Sequence, residues 1–206
     1  MTSILLLGGG GHCCACIDVI EALGEMEIGG IVQAHRSQQG ELLGYPVVGC
    51  DDDLPSLVRD VNYALVTVGQ IKQPNTRIQL FERVKALAVP LPVIVSPSAY
   101  CSQHAAVGEG TIIMHSSVVN AKARIGENCI INTLALVEHD ADVGAHCHVS
   151  TGARVNGGVR IGVGSFIGSG AVVREGITIG SRVVIGAGQV VLQDIPDDTV
   201  VRTKRD

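Results

Sequence analysis

From Val107 to Val191 every sixth residue is Val or Ile, fifteen times in succession. Four residues after each comes a second, mostly small site, such as Ala123, Cys129, Ala135, Ala141 and Cys147, with Gln189 the awkward fit. The second position of many hexads is glycine, as at Gly108, Gly126, Gly144, Gly162, Gly168, Gly180 and Gly186. An α-helix repeats about every 3.6 residues and a strand about every two, so neither explains a strict period of six. A solenoid does. Each hexad forms one side of a triangular coil, and its aliphatic residue points inward onto its equivalent 18 residues along. Fifteen hexads make five coils. On this reading the small residue packs the corner, and glycine supplies the turn's positive φ.

Composition agrees. Aromatic residues make up 2% and Trp is absent, while hydrophobic residues reach 46%. Val and Ile must therefore supply most of the core, which suits stacked strands. The stretch before the coil has another rhythm, with short apolar runs alternating with amphipathic segments. Strands are expected at Ser3 to Leu7, Ile28 to Val32, Tyr63 to Val68 and Val93 to Val95. Helices are expected at Cys13 to Leu23, after Leu54, and from Asn75 to Ala88. Alternating strand and helix imply a parallel sheet of Rossmann-like βαβ units, which binds ligands at the carboxyl ends of its strands. The expected division is residues 1–96 for the α/β domain and 97–206 for the coil.

Several classes are disfavoured. The formal net charge is -5, and basic residues cluster only in the tail, at Arg202, Lys204 and Arg205. A nucleic-acid surface needs a concentrated positive patch, so no nucleic-acid partner is expected. No apolar run is long enough to span a bilayer. The segment Met1 to Leu7 lacks the charged and apolar regions of a signal peptide, and cytoplasmic localisation is expected. The odd count of seven cysteines fits free thiols in a reducing compartment. Cys13 and Cys16 form a C-x-x-C after His12, but no second pair exists to complete a zinc site. They read as small buried helix residues.

The hexad block resembles the hexapeptide-repeat acyltransferases. That resemblance implies a left-handed parallel β-helix, assembly as a homotrimer, and acyl-CoA held in the groove between neighbouring subunits. Carbonic anhydrases of the γ class share the coil and use three metal-binding histidines around a trimer interface. The grouping of His139, His146 and His148 keeps that alternative open, although no metal is expected. The best candidate for chemistry is Val137-Glu138-His139-Asp140. His139 falls at the third position of its hexad, near a corner, stacked between Ala121 and Gly157, where the fold does not require it. Imidazole can take a proton near neutral pH as an amine or hydroxyl attacks a thioester. A neighbouring carboxylate would fix its tautomer, and Asp140 is preferred to Glu138. His148 has two readings, an acyl-donor contact or a corner cap. His115 and His146 lack such a carboxylate context and read as surface residues.

Between the first strand and first helix lies Gly8-Gly9-Gly10-Gly11-His12. Glycines let backbone N–H groups approach a phosphate at a helix N-terminus. A G-x-G-x-x-G pattern would need glycine where Cys13 stands, which argues against NAD. This G-x-G-G-H loop, together with E-H-D and a second histidine in the coil, is similar to the NeuD-like sugar acyltransferases. The nearest are the nucleotide-4-amino-sugar N-acetyltransferases such as the bacillosamine-pathway enzyme. The resemblance covers nearly the whole chain. It implies that Gly10, Gly11, His12, Gln33, Arg36, Gly69 and Gln70 hold a sugar nucleotide. It makes His139 the base, Asp140 its partner and His148 a donor-side contact. Gly157 would meet the pantetheine arm of CoA, with Ala187 farther along the same groove.

Two departures bear on specificity. Members commonly carry an Asp-Asp pair after the second strand, where this chain has Gln33-Ala34-His35-Arg36. An acidic acceptor has become an amide, so a uridine nucleotide does not follow from the family. A G-x-P-A-K-like turn near the CoA adenine is also replaced, by Val201 to Asp206. The expected activity is acetyl-CoA-dependent N-acetylation of the 4-amino group of a nucleotide-linked deoxy sugar, in surface-glycan biosynthesis. Its rivals are sugar O-acetylation of the sialic acid type and a non-catalytic solenoid binding module.

Overall fold

A computed structural model describes residues 2–35, 40–71 and 73–202. Strand β1 (Thr2–Leu7) leads into helix α1 (Gly11–Leu23), then β2 (Met26–Gln33), β3 (Glu41–Leu42) and β4 (Tyr45–Cys50). A one-turn helix α2 (Leu54–Leu57) sits between two 3₁₀ turns, and β5 (Tyr63–Val66) and helix α3 (Asn75–Ala86) follow. The sheet has the order β3-β4-β2-β1-β5 and is parallel except for the β3–β4 hairpin. The β3–β4 hairpin is not foreseen in the sequence, because Pro46 interrupts the apolar run that becomes β4.

Alternation along β1 divides the domain into two layers. Ile4 and Leu6 pack with Cys13, Cys16, Ile17 and Ile20 of α1. Leu5 and Leu7 pack with Leu80, Phe81 and Val84 of α3 on the opposite face. Each fully buried aliphatic side chain contributes about 1.5–3 kcal/mol relative to exposure. The α1 layer also takes in Ile94, Ile112 and Ile130, which point outward from one face of the coil. One apolar cluster thus serves both the domain and its junction with the coil.

The strand expected at Val93 to Val95 belongs elsewhere. Ile94–Val95 pairs in parallel with Ile112–Ile113 and is the first rung of the coil. From there three parallel sheets climb with a register of 18 residues, as in Val119↔Val137 and Val137↔Val155. The interior is a column of Val, Ile, Ala and Cys.

The glycines do not act as the period suggested. Positive φ recurs at the fourth position of the hexad, in Ser116, Lys122, Asn128, Leu134, Asp140 and His146 as well as Gly110, Gly152 and Gly164. Glycine at the second position answers a different need. A Cβ on Gly108, Gly126 or Gly162 would lie 2.5 Å from a backbone nitrogen of the next coil. Close stacking, rather than a left-handed turn, excludes a side chain there. No helix among the described residues is long and apolar enough to cross a membrane.

Candidate active site

The carboxyl ends of β1, β2, β4 and β5 open onto a cavity of about 830 Å³, walled on its far side by Asn132 and His148 of the coil. Gly8 adopts φ +114°, and a Cβ on it would strike Val68, so the chain leaves β1 against β5. Gly10 and Gly11 have open space where a side chain would stand. Gly10 caps α1 without any side-chain hydrogen bond, which leaves the helix N-terminus available to an anion. Gln33 lies over Gly9, and Gly69 and Gln70 close another side. Arg36 lies outside the described residues.

Burial first, then the charges of Arg77 and His148, hold His12 far below the usual imidazole range, at about 3. Burial keeps the Cys16 thiol protonated. Its sulfur lies 3.5 Å from Nε2 of His12. Cys13 is fully buried beside it, so the C-x-x-C contributes packing.

His148 is also neutral, pushed down to about 4 chiefly by burial. Its Nδ1–H donates to the carbonyl of Gln70 at 2.6 Å, and Nε2 accepts from Asn132 Nδ2 at 3.0 Å. Both nitrogens are occupied within the chain, and the ring meets Phe166 edge-on. Through these bonds His148 ties the Gly69-Gln70 loop to the coil. Gln70 reinforces this tie by donating from Nε2 to Gly164 O at 3.2 Å.

Arg77 is fully buried and was not anticipated in the sequence. Nη1 donates to Val66 O and Val68 O at 2.9 and 2.6 Å, and Nη2 to Asn128 Oδ1 at 2.7 Å. Burial lowers its pKa to about 10, yet it stays charged. Because arginine only donates, it fixes the Asn128 amide: Nδ2 must face His146 Nδ1, at 3.0 Å. Neutral His146, accepting at Nδ1, then carries its proton on Nε2, and His146, Glu82 and Glu127 offer ligand atoms within 4.8 Å of one another. A metal there would force that proton onto Nδ1, against an N–H donor, so the cluster does not suit an ion. His146 is buried and is not the surface residue expected, whereas His115 is partly exposed and bridges Asp18 (2.8 Å) and Ser96 (2.6 Å). Their partners come from distant sequence.

His139 stands apart from this cavity, on a different corner of the coil. Its Nδ1 lies 2.8 Å from Asp140 Oδ2, and its side chain is 65% exposed. Asp140 takes φ +58°, a conformation Asp tolerates, and the hydrogen bond from His139 keeps its carboxyl below the usual range. Glu138 instead accepts from Asn120 Nδ2 at 2.8 Å and from the His139 backbone at 3.3 Å. Of the two carboxylates, only Asp140 contacts the His139 ring, and Nε2 has no hydrogen-bond partner among the described residues. The ring lies on Gly157, where a Cβ would fall 2.9 Å from both Cε1 and Nε2.

Ala187 lines a separate, largely apolar groove of about 630 Å³ with Ile71, Phe166 and Val200. Gly157 and Ala187 occupy different corners of one chain, so they do not share a groove within it. His139, His146 and His148 are likewise dispersed.

Residues 3–84 match the PglD N-terminal domain, and residues 158–193 match the hexapeptide repeat of succinyl-transferase. A histidine-to-asparagine variant of perosamine N-acetyltransferase from Caulobacter crescentus, in complex with CoA and GDP-perosamine, is 35% identical. It superposes with a TM-score of 0.91 over 97% of this chain and 93% of its own. The acetyltransferase domain of PglB from Neisseria gonorrhoeae in complex with acetyl coenzyme A is also 35% identical. Its TM-score is 0.85, over 96% of this chain and 94% of its own. WeeI from Acinetobacter baumannii, 19% identical, shares the fold, with a TM-score of 0.85. No curated protein matches this chain in sequence. The chain belongs to the NeuD-like family of hexapeptide-repeat sugar N-acetyltransferases, and it is an acyltransferase.

Proposed function

We propose that the protein is an acetyl-CoA-dependent N-acetyltransferase acting on the 4-amino group of a nucleotide-linked deoxy sugar, with His139 as general base. The observation that carries this is the His139–Asp140 pair: Nδ1 is held by the carboxylate at 2.8 Å, and Nε2 has no partner among the described residues. The amine nitrogen attacks the thioester carbonyl, and its proton passes to Nε2. The tetrahedral intermediate collapses with cleavage of the C–S bond, and the imidazolium returns the proton to the departing CoA thiolate. Asp140 stabilises that imidazolium.

The glycine cavity binds the sugar nucleotide, with the diphosphate at the N-terminus of α1. Because His139 and that cavity stand apart in one chain, the working site is the seam between two subunits of a homotrimer. One subunit contributes the cavity and its neighbour the base. The solved relatives that hold CoA with GDP-perosamine, and acetyl coenzyme A, support both substrates.

Thiol release from acetyl-CoA with a panel of nucleotide-linked amino sugars tests the reading. His139→Ala should lower kcat by about 10²–10⁴-fold. Near-normal turnover by that variant removes the base assignment. A monomer at assay concentration, active in that state, removes the shared site.

A further inference from the structure

We propose that Asp51 makes the site selective for guanine, its two carboxylate oxygens accepting the N1–H and N2–H of the base of a GDP-linked sugar. The proposal rests on the sugar-nucleotide reading above and adds the identity of the base to it.

The cavity has a direction. One end reaches Asn132 and His148 on the coil, and the other reaches Asp51, which follows β4. The sugar must point toward the coil, where acyl transfer takes place, so the base lies at the Asp51 end. Strand order gives the same answer. The phosphate loop follows β1, Gln33 ends β2, and Asp51 lies beyond β4, two strands outward. Adjacent strands are about 4.8 Å apart, so Asp51 stands roughly 10 Å from the phosphate loop. A nucleoside spans that gap from its phosphates to its base.

Asp51 is the only carboxylate lining this cavity among the described residues. Its backbone is held, since Arg83 Nη2 donates to Asp51 O at 2.7 Å. No hydrogen bond engages its carboxylate among the described residues. Burial disfavours its charge, and the neighbouring Arg83 charge favours it. Ionised, it accepts only, at two oxygens side by side. Guanine is the common base that presents two N–H groups in that spacing. Uracil presents one N–H between two carbonyls, which the carboxylate repels. Adenine and cytosine present one amino group beside a ring acceptor, leaving one oxygen of Asp51 against a lone pair.

The test is calorimetric titration of the full chain with GDP, inosine diphosphate, UDP, ADP and xanthosine diphosphate. A paired contact of this type discriminates by about 5- to 150-fold. The native protein should prefer GDP to UDP and ADP by that range, and to inosine diphosphate, which lacks the 2-amino group. Asp51→Asn should lose the preference for GDP and gain affinity for xanthosine diphosphate. Its amide donates to the 2-carbonyl and still accepts from N1–H. Equal affinity of the native protein for all five overturns the proposal without any variant. So does an Asp51→Asn chain weakened equally toward GDP, UDP and ADP, which would place the carboxylate on the ribose. Binding of no nucleoside diphosphate would instead remove the sugar-nucleotide reading itself.

Discussion

The imidazole of His139 rests on the bare α-carbon of Gly157, its equivalent one coil along, where a methyl group would stand 2.9 Å from Cε1 and Nε2. The backbone of Gly157 is not in the left-handed region, so alanine is barred by the ring alone. Gly157→Ala should displace the imidazole and lower kcat on the order of 10²-fold. The melting temperature should change little. A variant with native kcat would show that the ring has no need of this seat.

Asp140 should act through His139. Asp140→Asn keeps the shape but loses the carboxylate that fixes the tautomer and stabilises the imidazolium. A fall in kcat with KM nearly unchanged is expected, by a factor no larger than that of His139→Ala. The double variant should lose little more than His139→Ala alone. Additive losses would separate the two residues.

Arg77 should matter for stability. Replacing it with Met leaves Val66 O, Val68 O and Asn128 without their donor. Each stranded buried group costs about 1–3 kcal/mol, so a loss above about 3 kcal/mol is expected in urea unfolding. Lys lacks the planar fork, and Arg77→Lys should recover only part.

Acid should weaken the fold through its buried histidines. His148 is held at about 4 against an ordinary 6.5, and His12 at about 3. Between the ordinary value and the folded one, the unfolded chain binds protons that the native state refuses. Stability therefore falls as pH drops through that window and is fully present above it. Urea midpoints at pH 7 and 5 should show the decline, and His148→Gln should shrink it. An unchanged decline in that variant would locate the titration elsewhere.

The two kinds of coil glycine should separate cleanly. Gly170 has φ +66° with open space around it, and Gly170→Ala should cost about 1 kcal/mol. At Gly126 the new methyl meets Ala145 N at 2.5 Å, backbone that has nowhere to move. Gly126→Ala should cost about 3 kcal/mol or more.

The coil was legible because every hexad places its side chains in the same environment, and fifteen repetitions leave one architecture. The His139-Asp140 pair was legible too, since the partners are adjacent in the chain. What escaped depends on contacts across long separations. Arg77 looked like an ordinary helix residue, yet it reaches Asn128, 51 positions away. His115 meets Asp18 across 97. His148 lies in a chemically suggestive context, but only the fold shows that Gln70 and Asn132 occupy both nitrogens. Asp51 carries no motif; its interest lies in the cavity it borders. The second-position glycines are visible in the sequence but their cause is not, because a period reveals a requirement but not whether torsion or crowding imposes it.

The separation of the glycine cavity from His139 carries a genetic consequence. Under the proposed seam arrangement, a chain crippled at Gly11 still lends its imidazole to a neighbour, and a chain lacking His139 still lends its cavity. Each is dead in isolation. Unfolded together and reassembled, the two should rescue one another, because some mixed seams inherit both intact halves.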